Sequence, residues 1–96
     1  MGKIIFQISY EIRTDKRPEF MTIAAKLRSE LQSLGVNYGI YEVQGQENGF
    51  NEIFVCETQE EYDELEDRTN DTISVLVDKL ARCVNGKMKY TTLREL

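Results

Sequence analysis

The sequence has no histidine, no tryptophan, a single proline and two cysteines. Without histidine the chain lacks the commonest metal ligand and the usual general base near neutral pH, though a carboxylate or a tyrosine can still move protons. Two thiols without histidine make a poor zinc site, and a disulfide framework is not expected in a reducing compartment. Cys56 sits in an apolar strand run and Cys83 on an apolar helix stripe, so each reads as a small buried hydrophobe. No apolar run approaches the roughly 20 residues that span a bilayer. The opening MGKIIFQISYEIR is too short and too alternating for a signal peptide, and Phe6 stands where a myristoylation signal needs a hydroxyl residue. A cytoplasmic location is expected. Basic residues are the minority, 12 against 17 acidic ones, for a net charge of −5. A domain of that sign repels phosphate backbones, so neither nucleic acid nor a membrane is an expected partner. No metal, haem or other cofactor is expected.

Ninety-six residues suit one domain, spanning 1–96. Apolar residues alternate from Ile4 to Ile12, which predicts a strand with Ile4, Phe6, Ile8 and Tyr10 facing the helices. Phe20, Ile23, Ala24, Leu27, Leu31 and Leu34 recur at spacings of three and four, which predicts a helix over Pro18 to Leu34 with Gly35 as its left-handed cap. A hairpin is expected from Val36 to Glu57, turning at Asn48-Gly49. A two-residue turn there pairs Val43 with Phe54 and Tyr41 with Cys56, and a bulge at Gly45 would shift that register. Thr58 and Glu61 open a second helical stretch as a capping box. It breaks near Arg68 to Thr72, is recapped by Asn70 or Asp71, and continues to Val84. A last strand covers Lys87 to Leu93. The order βαββαβ is the ferredoxin-like one, an α+β fold with a four-stranded antiparallel sheet. Both faces of the hairpin are partly apolar, unlike a sheet with one face in water, so a second copy of the sheet is expected over the outer face.

Three stretches resemble the dimeric α/β-barrel superfamily, in particular its antibiotic-biosynthesis-monooxygenase-like branch. Asp15-Lys16-Arg17-Pro18-Glu19-Phe20 is similar to the G-K-R-x-E-F opening of the first helix. Gly35 to Glu42 resembles the second strand's G-x-x-x-Y-x-x-Y/E, and Glu52 to Tyr62 the E-x-W-x-S-x-E-A/E passage into the second helix. The resemblance implies a homodimer in which two sheets pack face to face and enclose a barrel, helices outside. It also implies company with cofactor-independent monooxygenases, haem-binding enzymes and proteins of unknown role. The chain departs from the catalytic members in lacking the histidine that ligates haem and the tryptophan of the strand-three pattern, where Phe54 or Val55 stands.

On the expected inner face of the barrel lie the candidate ligand contacts Gln7, Ser9, Glu11, Tyr38, Glu42, Gln44 and Thr91, among Ile5, Ile40, Ile53, Val55 and Leu93. Apolar walls with a few convergent polar groups suit a small-molecule pocket. The alternative is that those groups hydrogen-bond across the dimer seam or to trapped water, since buried polar groups are normally paired whatever their role. Glu11 and Glu42, if both enclosed, would push at least one carboxyl upward in pKa. Arg68, at the helix break, could reach the barrel mouth and hold an anion, or remain a surface residue. Two functions follow: a protein that binds or transforms a small hydrophobic molecule without metal or haem, and a non-catalytic dimeric module whose barrel is filled by side chains. The acidic run Glu57 to Asp67 is either a solvated helix face or a docking patch.

Overall fold

A computed structural model describes residues 2–96. Strand β1 (Ile4–Glu11) leads through a 3-10 turn (Thr14–Lys16) into helix α1 (Arg17–Ser33), then β2 (Tyr38–Glu42) and β3 (Gly49–Cys56). Helix α2 (Gln59–Asp63), a second 3-10 turn (Leu65–Asp67), α3 (Asp71–Cys83) and β4 (Lys89–Arg94) follow. The four strands form an antiparallel sheet in the order β2-β3-β1-β4. This is the α+β ferredoxin-like arrangement expected from the element order. Lys3 and Glu95 extend the β1–β4 pairing beyond Ile4 and Arg94, with Glu95 N–H donating to the Lys3 carbonyl at 2.9 Å.

The local devices explain the element boundaries. Pro18 sits in the first turn of α1, where a missing N–H costs nothing. Gly35 takes φ 81° at its end, a left-handed cap that glycine adopts without a Cβ penalty. The Thr58 hydroxyl accepts from Glu61 N–H at 3.1 Å and starts α2, while the Glu61 carboxylate reaches the N–H of Glu57 rather than that of Thr58. Asn70, not Asp71, caps α3, accepting from Ile73 N–H at 2.8 Å.

The core lies between one sheet face and the helices. Phe20, Ile23, Ala24, Leu27 and Leu31 of α1 and Ile73, Leu76, Leu80 and Cys83 of α3 are buried against Tyr10, Tyr38 and Phe50. Each large apolar side chain so buried contributes about 1.5–3 kcal/mol relative to exposure. Both cysteines are free and buried.

The hairpin departs from expectation. Tyr41 lies opposite Asn51 rather than Cys56, and Tyr38 opposite Phe54. The connection is longer than two residues: Val43 N–H bonds the Gly49 carbonyl, and Gly45 and Asn48 both take positive φ. Asn48 holds its φ of 63° because its side chain is bonded on both sides, accepting from Arg17 at 3.0 Å and donating to the Thr14 hydroxyl at 3.1 Å. Gly49 is not a turn residue but the first of β3. The displacement along β3 is an odd number of residues, and an odd displacement exchanges the faces of β2.

Candidate functional site

That exchange decides where the expected ligand contacts fall. Gln7, Ser9, Glu11 and Thr91 point to the outer face of the sheet, with Ile5, Asn51, Ile53, Val55 and Leu93. Tyr38, Ile40 and Glu42, expected on that face, lie on the other, alongside Phe50, Glu52 and Phe54. Gln44 belongs to the connecting turn and is exposed. The seven residues therefore do not converge. Glu11 and Glu42 lie on opposite faces; Glu11 accepts from Asn85 at 3.2 Å, and Glu42 pairs with Arg17 at 3.1 Å. The repulsion expected between them does not arise.

The polar group that is buried is Glu52, which the expectations passed over. It is only 5 % exposed and lies on the helix-facing side of β3, a central strand. Its carboxylate accepts a hydrogen bond of 2.8 Å from the Tyr38 hydroxyl. The Tyr10 hydroxyl, also buried, sits near enough for each group to perturb the other's titration, yet it makes no hydrogen bond of acceptable geometry. Burial pushes the Glu52 carboxyl above the ordinary range, and the two tyrosine hydroxyls only partly oppose this. Burial first, and then the nearby Glu52 charge, pushes both tyrosines upward, so both remain neutral. One sequence signal could have found Glu52: it is the single charge in the run Gly49–Cys56, in phase with Phe50, Phe54 and Cys56.

Glu52 forms part of the wall of a cleft of about 460 Å³ between sheet and helices. Its sheet side is Phe6, Ile8, Phe54 and Tyr90, its helix side Leu27, Leu31, Ile73, Val77 and Leu80. Phe6 anchors an aromatic cluster there, stacked on Tyr90 with ring centroids 6.1 Å apart and edge-on to Tyr62 at 6.2 Å. Tyr90 and Val77 are exposed and mark the mouth. Leu65, Glu66, Arg68 and Thr69, from the break between α2 and α3, complete the rim. A larger depression of about 650 Å³ beside the sheet ends is lined by Glu57, Glu60, Arg94 and Glu95 and holds no buried titratable group. Among the described residues the cleft is thus where an apolar enclosure meets a buried acid, the combination that marks candidate sites.

The fold has close counterparts of known structure. A conserved protein from Methanosarcina mazei Go1 superposes with a TM-score of 0.84 at 17% identity, over 100% of this chain and 95% of that one. A candidate antibiotic biosynthesis monooxygenase from Caulobacter crescentus CB15 gives 0.83 at 14% identity, over 99% and 91%. SnoaB, a cofactor-independent oxygenase from Streptomyces nogalater, gives 0.75 at 9% identity, over 97% and 92%. The chain shares their ferredoxin-like fold. That shared fold by itself fixes no activity. No family model and no curated protein matches the sequence. Among the described residues there is no group of three or more His, Cys, Asp or Glu that could hold a metal ion, and no helix long and apolar enough to cross a membrane.

Proposed function

We propose that the protein binds a small hydrophobic molecule in the cleft between sheet and helices, and that Glu52 exchanges a hydrogen bond or a proton with it. The carrying observation is a carboxyl 5 % exposed, in the wall of an otherwise apolar cleft and held from behind by Tyr38. A carboxyl raised in pKa by burial matches the acidity of weakly acidic ligand groups such as a ring hydroxyl better than a solvated one does. The resemblance in fold to a cofactor-independent oxygenase supplies a chemistry to test: removal of such a proton by Glu52, with no metal or haem invoked. Free, buried cysteines suit a reducing cytoplasm.

The second element of the proposal is a homodimer. Helices cover one face of the sheet, while Ile5, Ile53 and Val55 remain half-buried and Leu93 and Tyr41 exposed on the other. A second copy is the occupant that would bury this face, placing Gln7, Ser9 and Thr91 in the seam, where they would bond across it.

The test is a methyl-resolved NMR titration with 1-naphthol. The expected result is that the methyl resonances of Ile8, Leu27, Leu31 and Leu80 shift while those of Ile5, Ile53 and Val55 stay. Shifts confined to the second set would overturn the cleft and return the site to the outer face.

A further inference from the structure

Arg68 has no ion pair among the described residues although Glu64, Glu66 and Asp67 immediately precede it. It lies beside Gly35, where a Cβ would come within 3.6 Å of Nη1, and its one hydrogen bond is long, 3.5 Å to the Leu34 carbonyl at the end of α1. The side chain is half-buried and contributes to the cleft rim. An arginine carries five donors in a fixed fork, and a single long contact leaves most of that capacity unused. At the other extreme of the cleft's polarity stands Glu52, nine-tenths buried, with the Tyr38 hydroxyl bonded to one of its oxygens. Between these two charged groups the walls are aromatic and aliphatic.

We infer that the cleft takes an amphipathic acid: an apolar ring system inside, and an anionic group at the mouth held by Arg68. This rests on the cleft being the ligand site. Capping of α1 by Arg68 does not compete with it, because a contact at 3.5 Å occupies one donor and leaves the others free. Glu66 shares the rim and opposes the anion, so the arginine must be near enough to form direct hydrogen bonds for the preference to appear. A specificity-determining role at the mouth follows for Arg68, and ligand selection separates into shape, read by the walls, and charge, read at the rim.

Two fluorophores that share a ring system and differ in one charge test it: neutral N-phenyl-1-naphthylamine and its sulfonate, 1-anilinonaphthalene-8-sulfonate. Each is titrated into the full chain, into Arg68→Gln and Arg68→Lys, and into Val77→Trp, which narrows the mouth. The expected result is that Arg68→Gln weakens the sulfonate about tenfold and leaves the neutral compound within twofold. Arg68→Lys recovers part of the loss, and Val77→Trp weakens both. Retained binding of the neutral compound shows that Arg68→Gln is folded. If Arg68→Gln leaves the sulfonate unchanged while Val77→Trp weakens both compounds, the anion preference is overturned and the cleft stands. If neither compound binds, or Val77→Trp weakens neither, the cleft reading fails and the inference fails with it.

Discussion

Glu52 is costly to the folded state in a way that pH exposes. Burial raises its pKa above the ordinary 4.5, so the folded protein holds a proton that the unfolded chain has released. Stability therefore falls as pH rises from about 4.5 towards the folded value, and the penalty persists above it. Glutamine at this position removes the ionisation and still accepts from Tyr38. The stability gap between Glu52→Gln and the native chain should widen with pH over that window and then level off, as read from urea unfolding at a series of pH values. A gap that stays constant would mean that Glu52 titrates as a solvated carboxyl. A residue that lowers stability at neutral pH while lining a cleft is the kind of local cost that functional sites carry.

At the scale of elements, the break between α2 and α3 is held by a cap. Asn70 satisfies an N–H that α3 would otherwise leave unpaired. Asn70→Ala should lower stability by about 1 kcal/mol, measured by urea unfolding, and should loosen the segment that carries Arg68 to the cleft rim. Local devices of this kind were legible in the sequence: the Pro18 start, the Gly35 cap, the Thr58 cap and the α1 stripe from Phe20 to Leu31 each depend on residues a few positions apart, while Leu34 falls past the helix end and is exposed and the choice of Asn70 over Asp71 came only from the structure. The hairpin register was not. Asn48-Gly49 has the composition of a two-residue turn, but Asn48 owes its left-handed conformation to the distant partners Arg17 and Thr14, and no local pattern records them. The register alone moves Tyr38 and Glu42 to the helix-facing side; Glu52 needs no register, since the alternation within β3 already places it beside Phe50, Phe54 and Cys56.

For the molecule as a whole, the two faces of the sheet have separate tasks on the reading proposed here, a cleft on the helix side and a partner on the other. Ile53→Asp places a charge at the centre of the outer face without touching the core cluster. It should convert a dimer to a folded monomer, seen as a halved mass in native mass spectrometry with an unchanged circular dichroism spectrum. A variant that kept its partner would count against this face as the interface.

The alternation of β3 has a consequence for which changes the chain can tolerate over generations. Glu52 and Ile53 are adjacent in sequence yet serve opposite sides of the sheet. A single inserted or deleted codon within Gly49–Cys56 would hand the acid to the outer face and the isoleucine to the cleft, erasing both tasks at once. The exposed stretch from Gln44 to Glu47 lies outside both strands, where a change of length leaves the alternation of β3 intact. Length variation among descendants of this gene should accordingly collect in the hairpin connection, while β3 changes by substitution alone.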